Sequence, residues 1–231
     1  MRTPHSLPLR RHALASLAAA VLLAGCQKPA ATAATTAATL TLVQGDNQAV
    51  QAGKDLPHPI VLRVLDEAGT AMAGVAVTLV VAQGGGTVTP PSGVSDAKGE
   101  YTARWTLGPL ADNQLRASVP GVDPLTIRAV GIVPSDIIVA QGNGQTAKYN
   151  AALPTSIVVR VVGAGNTPMA GITVLFQVTS GGGAISPQSA VTSALGEVTT
   201  KWTLGSAVGT QTAAITATTL SPALLTATAL P

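Results

Sequence analysis

The amino-acid sequence predicts an all-β protein built from two tandem antiparallel β-sandwiches. Apolar residues alternate with threonine and serine in short runs, which is typical of strands buried on one face. Turn signals rich in glycine and proline separate these runs at regular spacing. A stretch that begins with three glycines and closes on Trp-Thr-Leu-Gly occurs twice, at 84–108 and 181–205, with a spacing of 97 residues. A repeat that carries several strands and turns indicates a duplicated domain.

The first copy contains short runs that fit about seven strands. The polar Arg63 marks the solvent face of the run at 60–65. The apolar residues at alternate positions of that run, Ile60, Leu62 and Val64, are therefore expected to point into the core. Six of these runs lie at 40–43, 60–65, 75–81, 101–107, 115–119 and 125–129.

A hairpin turn is predicted at 96–99, with Gly99 free to adopt positive φ. The strand after this turn places Trp105 on the same face as the apolar Leu107. In the second copy, Trp202 and Leu204 have the same relation. Both tryptophans are therefore interpreted as core residues, and the alternative is that they form exposed platforms on which a sugar stacks.

The second copy repeats the same elements, with runs at 137–140, 157–162, 172–178, 198–204, 215–219 and 225–229. A three-residue insertion after Gly205 is predicted, because it matches Leu115 to Ile215. The expected domains are a first sandwich at 40–131, a short linker at 132–136 and a second sandwich at 137–231.

The N-terminal residues are typical of an export signal, with a basic start, an apolar run at 13–23 and small residues after it. The last four, Leu23-Ala24-Gly25-Cys26, resemble the bacterial lipoprotein signal, in which cleavage precedes the cysteine and its sulfur is diacylated. We therefore expect residues 1–25 to be a lipoprotein signal peptide, with cleavage between Gly25 and Cys26 and with the lipid attached to Cys26. The alternative is an ordinary secretory signal with a chance cysteine.

The segment at 26–39 combines the lipidated cysteine with a low-complexity run of alanine and threonine. This run has too little apolar surface to offset its ordering entropy, so it is predicted to be a flexible tether. By resemblance to the lipoprotein class, Gln27 in place of aspartate after the cysteine favours sorting to the outer membrane. The expected location is thus the cell outer membrane, lipid-anchored and facing either the periplasm or the exterior.

The formal net charge of +3 is a property of the N-terminal segment. From residue 28 onward, five lysines and five arginines balance ten acidic residues. A chain without net charge lacks the electrostatic footprint of a nucleic-acid partner, so none is expected. Cys26 is the only cysteine, which excludes an intramolecular disulfide.

The titratable residues do not form a recognisable catalytic constellation, and we expect no enzyme, no cofactor, no bound metal and no small-molecule substrate. His58 lies between two prolines and is interpreted as a solvated loop residue. The triple glycines are not followed by the residues of a phosphate-binding loop and are interpreted as a turn. Two acidic pairs, at 66–67 and at Asp96 with Glu100, could ligate calcium near a domain junction, but turn chemistry explains them more simply.

The first copy carries the motifs Met72-Ala73-Gly74-Val75, the triple glycine, Asp96-Ala97-Lys98-Gly99 and Trp105-Thr106-Leu107-Gly108. The second copy carries Met169-Ala170-Gly171-Ile172, Gly181 to Gly183, Gly196 and Trp202 to Gly205. These repeated motifs resemble the bacterial immunoglobulin-like repeats of the intimin and invasin group. The resemblance covers 41–231 and implies two tandem immunoglobulin-like β-sandwiches placed end to end. In that family such repeats serve as rigid surface spacers.

These features predict a lipid-anchored structural or interaction module of the cell envelope. In this hypothesis, a short rod of immunoglobulin-like domains spaces or presents partners at the cell surface or in the periplasm. The alternative is an adhesin-like lipoprotein that binds a carbohydrate or a protein with its loops. The expected contacts are the membrane, through the N-terminal lipid, and an envelope protein or glycan.

Overall fold

The computed structural model of the protein describes residues 36–218 and 220–231, which form two β-sandwiches and one short 3-10 helix, Ala164–Asn166. The strands of the first sandwich are β1 (Thr39–Gln44), β2 (Gln48–Gln51), β3 (Ile60–Leu65), β4 (Ala76–Gln83), β5 (Gly86–Thr89), β6 (Ser92–Val94), β7 (Glu100–Leu107), β8 (Asp112–Val119) and β9 (Val122–Ile132). Those of the second are β10 (Pro134–Gln141), β11 (Gln145–Lys148), β12 (Ile157–Gly163), β13 (Thr167–Pro168), β14 (Thr173–Ser180), β15 (Gly183–Ser186), β16 (Ser189–Val191), β17 (Glu197–Leu204), β18 (Gly209–Ala217) and β19 (Ala223–Leu230).

Each sandwich consists of two sheets with the same strand order in both copies. One sheet has the order β1-β3-β7-β5 in the first copy and β10-β12-β17-β15 in the second, where β13 also pairs with β12. The facing sheet has the order β2-β9-β8-β4-β6 in the first copy and β11-β19-β18-β14-β16 in the second. Pairing is antiparallel except between β2 and β9 and between β11 and β19. The predicted class of two tandem immunoglobulin-like β-sandwiches is confirmed.

Alternating apolar residues build the two cores, as the sequence pattern predicts. Ile60, Leu62 and Val64 on β3 are completely buried, and so are Leu115 and Ala117 on β8. The core of the first sandwich and that of the second are separate clusters of buried residues. In the part of the chain that the structure describes, no helix has the length and apolar character needed to cross a bilayer.

The register of the sheets corrects the predicted insertion after Gly205. Leu79 lies opposite Ala117 in the first sandwich, and Phe176 lies opposite Ile215 in the second. Leu79 and Phe176 are 97 residues apart, so Ala117 and Ile215 are counterparts at a spacing of 98, and the insertion is one residue. The three-residue prediction was wrong because strand side chains alternate with period two. A shift of two residues therefore keeps every residue on its predicted face.

Between the sandwiches, β9 ends at Ile132 and β10 begins at Pro134, so one residue separates the two strands. The Gly163 backbone packs closely on this segment. A Cβ at Gly163 would lie 2.6 Å from a methyl of Ile132 and 2.8 Å from the carbonyl oxygen of Val133. The joint is therefore short and closely packed where the chain passes from one sandwich to the next. The predicted domain boundaries remain an expectation.

Candidate functional site

The residues predicted to carry the membrane anchor, Gly25 and Cys26, lie outside the described residues. The same holds for the signal peptide at 1–25 and for most of the tether at 26–39. Lipid attachment and cleavage at these positions therefore remain predictions. Among the described residues, the candidates for a functional role lie in the loops, on the sheet faces and at the junction of the two sandwiches.

His58 lies exposed in the loop before β3, and its backbone has a structural role. The Gln48 side chain donates from Nε2 to the His58 carbonyl oxygen at 2.9 Å and accepts from the His58 N–H at 2.8 Å. Gln145 makes the same pair of hydrogen bonds with the backbone of Thr155 in the second sandwich. Threonine makes the same backbone hydrogen bonds at the equivalent position, so this position does not require an imidazole.

Two of the acidic side chains considered as calcium ligands, Asp66 and Asp96, stabilise turns. Asp96 Oδ1 accepts hydrogen bonds from the N–H groups of Lys98 and Glu100, both at 2.8 Å, and Asp66 Oδ1 accepts similarly within its own turn. The hydrogen bonds from these two backbone groups lower the pKa of Asp96. Ser193, the counterpart of Asp96, accepts from Leu195 and Glu197 through its hydroxyl. The position is therefore a turn cap in both sandwiches.

One ion pair recurs at the same place in each sandwich, between β3 and β7 in the first and between β12 and β17 in the second. Arg63 binds Glu100 in the first sandwich, and Arg160 binds Glu197 in the second. Among residues 36–218 and 220–231, no group of three or more histidine, cysteine, aspartate or glutamate side chains could hold a metal ion. These charges therefore join neighbouring strands.

Both tryptophans are core residues, as the sequence analysis favoured. Trp105 and Trp202 are each 1% exposed, so neither can present a ring to a sugar. Their indole Nε1 atoms are buried and have no hydrogen-bond partner in either sandwich. The tryptophans therefore act through packing alone.

The triple glycines form a tight turn between β4 and β5, and its counterpart joins β14 and β15. A Cβ at Gly108 would lie 1.9 Å from the carbonyl oxygen of Gly84, and one at Gly205 would lie 2.1 Å from that of Gly181. In each sandwich the two backbone segments lie closer together than they could if this glycine carried a side chain. The repeated sequence therefore encodes a backbone contact and does not form a ligand loop.

A buried amide side chain holds this turn in each sandwich, and the sequence analysis missed both. Asn113 Oδ1 accepts from the N–H of Gly108 at 3.1 Å, and Gln211 Oε1 accepts from that of Gly205 at 2.8 Å. Both side chains are completely buried. Asn113 and Gln211 are 98 residues apart, so the corrected spacing would have paired them.

An open groove lies in the second sandwich where β14 faces β15 and β16. Its volume is about 620 Å³, and its lining includes Phe176, Ile185, Gln177 and Gln188. None of the lining residues is titratable, so the groove offers hydrogen bonds and apolar contact but no acid–base chemistry. Such a lining can bind a neutral ligand or a peptide.

The junction contains a contact between the sandwiches that the sequence analysis also missed. Gln51, at the end of β2, donates from Nε2 to the carbonyl oxygen of Ala170 at 2.8 Å. The same side chain accepts from the Ala170 N–H at 3.3 Å. The Gln51 side chain thus forms hydrogen bonds with both backbone polar groups of Ala170, which lies in the other sandwich. Its counterpart in the second copy is Lys148, which cannot accept, so the contact is specific to this junction.

Substitution of Gln51 by alanine is expected to loosen the junction without unfolding either sandwich. Two neutral hydrogen bonds are lost, each contributing about 0.5–1.5 kcal/mol. The range of distances between fluorophores placed one on each sandwich should therefore broaden in single-molecule measurements. Lys148→Ala is the matched control and should leave the distribution unchanged. An unchanged distribution in Gln51→Ala would show that other contacts fix the joint.

Comparison with solved structures finds surface proteins that are similar to the chain at low sequence identity. The adhesin InvE of Yersinia pseudotuberculosis is 19% identical over 83% of this chain and 59% of its own, with a TM-score of 0.40. Invasin, a bacterial integrin-binding protein, is 18% identical over 84% of this chain and 40% of its own, with a TM-score of 0.44. Domains 4 and 5 of the S-layer protein SbsC are 15% identical over 83% of this chain and 96% of their own, with a TM-score of 0.44.

No protein-family model and no curated protein matches the chain. The chain spans about three fifths of the InvE chain, at 59%, and less than half of the invasin chain, at 40%. At these identities and TM-scores, the description of the fold depends on the strand order and register of the chain itself.

Proposed function

We propose that the protein is a lipid-anchored module of the bacterial cell envelope that spaces or presents partners through its two sandwiches. The observation that carries this proposal is the sequence Leu23-Ala24-Gly25-Cys26 behind a basic and apolar leader, with the only cysteine at its end. Two or more acyl chains bind a bilayer stably, because each buried methylene contributes about 0.8 kcal/mol. The tether would then connect the lipid to the first sandwich.

The folded residues support a spacing role because several of their polar side chains form hydrogen bonds or ion pairs within the protein. The shared ion pairs join strands, Asp96 and Ser193 cap turns, and Gln51 connects the sandwiches. A spacer needs a joint that resists bending, and a one-residue connection with a side-chain clamp supplies one. The outer membrane is the proposed location, on the basis of Gln27 after the cysteine.

The alternative function is adhesin-like binding of a carbohydrate or protein, and the groove of the second sandwich favours it. The groove is large enough for a short neutral chain, and the glutamines in its lining can donate and accept hydrogen bonds. The two functions are compatible, since a lipid-anchored module can also carry a binding surface.

Cys26→Ser is expected to abolish acyl labelling and to remove the protein from the outer-membrane fraction. The serine oxygen does not replace the thiol that receives the lipid, so neither lipid attachment nor the processing that depends on it should occur. Metabolic labelling with a fatty acid and fractionation of the same cells measure both effects. Gln27→Asp is the matched control. It should keep the label and shift the protein from the outer to the inner membrane fraction.

Acyl labelling, processing and outer-membrane retention that persist in Cys26→Ser would overturn the proposed anchor. Cross-linking in intact cells, with protease accessibility measured on the same sample, then tests the presenting role. A partner cross-linked to the sandwiches supports presentation, and the protease result separates the surface from the periplasm.

A further inference from the structure

The outer face of the sheet β11-β19-β18-β14-β16 is almost free of charge. The five strands contain one charged residue, Lys148, which lies at the end of β11. The corresponding sheet of the first sandwich contains four, Asp112, Arg116, Asp123 and Arg128. Two copies of one domain therefore differ in the charge of the same face. We call the outward side chains of β14, β18 and β19 the uncharged face.

The register shows that small neutral residues replace outward charges at three positions. At the corrected spacing of 98, Asp112, Arg116 and Arg128 of the first sandwich correspond to Thr210, Ala214 and Thr226 of the second. Asp112, Arg116 and Arg128 are all exposed. The cores of protein interfaces are depleted in charged residues, so the loss of these three charges favours a contact of this face with another molecule.

Two exposed leucines flank the central strand of the uncharged face. Leu175 on β14 lies opposite Thr216 of β18, and Leu224 on β19 lies opposite Ala214 of the same strand. Leu175 is 51% exposed and Leu224 is 58% exposed. Their counterparts in the first sandwich are Thr78 and Thr126. The face thus has one exposed leucine on each side of a row of small residues on β18.

We propose that the uncharged face docks against the same face of a second copy of this chain. In such a two-fold contact, each face meets its own charges, and arginines near the axis would repel their equivalents. The first sandwich carries Arg116 and Arg128 on its face, and the second has neutral residues there. We place the two-fold axis over β18, so that Leu175, Leu224 and the small residues of β18 lie within the contact.

The size of the face sets the strength of this association. The five strands of this sheet are between three and nine residues long, and at about 4.8 Å between strands and about 3.3 Å per residue they cover roughly 500 Å². Two such faces bury about 1,000 Å², which lies below the range of stable specific interfaces and fits a weak, transient contact. The dimer should therefore be reversible, with a dissociation constant in the micromolar range or weaker.

The proposal is independent of the lipid anchor and goes beyond the proposed function. Both cores lie between residues 40 and 229, so the segment 36–231 contains everything needed to fold and can be studied alone. This segment lacks Cys26, so self-association can fail or succeed whatever the result for the anchor.

Sedimentation equilibrium of the segment 36–231 tests the association. The average mass is expected to rise from one copy toward two as the concentration increases to about 1 mM. Leu175→Arg and Leu224→Arg should weaken the association at least tenfold, because each buries an unpaired charge. The matched controls Thr78→Arg and Thr126→Arg, at the corresponding positions of the first sandwich, should leave it unchanged.

A wild-type segment that remains monomeric at about 1 mM overturns the proposal, as does a control variant that weakens association equally. Single-cysteine variants supply a test that is independent of the arginine variants. Thr216→Cys, beside the proposed axis, should cross-link to a second copy with a short bis-maleimide. Ser118→Cys, its counterpart in the first sandwich, should not, and equal cross-linking of both overturns the proposal.

Discussion

Replacement of Trp202 by alanine is expected to destabilise the second sandwich by roughly 3–5 kcal/mol and to leave the first sandwich folded. Trp202 is 1% exposed on β17, where it pairs with Ile185 of β15. Since its indole nitrogen has no hydrogen-bond partner, the whole loss comes from packing and from the cavity that remains. A loss of this size is a large part of the 5–15 kcal/mol typical of a domain.

The protein contains two tryptophans, one in each core, which makes the measurement selective. In Trp202→Ala, the fluorescence of Trp105 reports on the first sandwich alone, and calorimetry follows both transitions. The mirror variant Trp105→Ala should lower the other transition. Trp202→Phe is a milder control, because phenylalanine keeps much of the apolar volume and no hydrogen bond is lost. Simultaneous unfolding of both sandwiches in either alanine variant would contradict the separate cores.

The fold class and the main strands could be predicted because two independent patterns agree. Alternation identifies which residues of β3 and β7 point inward, and the repeat confirms each strand at a second place in the chain. Turn chemistry agrees as well, because Gly99, the glycine that ends the predicted turn, has a φ of 72° in the structure. Where pattern, turn chemistry and repeat coincide, the sequence was sufficient.

The short strands could not be predicted because they lack a core face of their own. β2 is Gln-Ala-Val-Gln, and β6 is Ser-Gly-Val with every residue exposed. Such segments become strands because a longer neighbour offers unpaired backbone groups, and that neighbour is distant in sequence. β2 pairs with β9 about eighty residues later, in a parallel register that no local pattern specifies.

The candidate sites also divide into those that local sequence predicts and those that depend on contacts between segments distant in the sequence. Sequence reasoning correctly assigned the carboxylate of Asp96 to a turn and Trp105 to the core, because local chemistry decides both. The contact of Gln51 with Ala170 depends on how one sandwich meets the next, and the uncharged face depends on which strands are neighbours. Comparison of the two copies would have marked both, since Gln51 corresponds to Lys148 at the spacing of 97 and Arg116 to Ala214 at the corrected spacing of 98.

Gly205→Ala is expected to destabilise the second sandwich by roughly 3 kcal/mol or more. The new Cβ would lie 2.1 Å from the carbonyl oxygen of Gly181 and 2.5 Å from the carbonyl carbon of Gly182. Both contacts are with backbone, which cannot rotate away as a side chain can. Separation of the two segments would also break the buried hydrogen bond from the Gly205 N–H to Gln211, and an unpaired buried amide costs about 1–3 kcal/mol.

Gly171→Ala is the control that separates close contact from backbone strain. Gly171 has φ of 76°, and a Cβ there would meet no atom within 4 Å. Its substitution should therefore cost only the 1–2 kcal/mol of a left-handed conformation. Urea denaturation of both variants measures the difference. If Gly205→Ala is at least as stable as Gly171→Ala, the backbone of the repeated turn can move apart to accommodate a methyl group. A larger loss at Gly205 would explain why Gly108 and Gly205 keep the same residue in both copies: each lacks positive φ and is crowded by backbone alone.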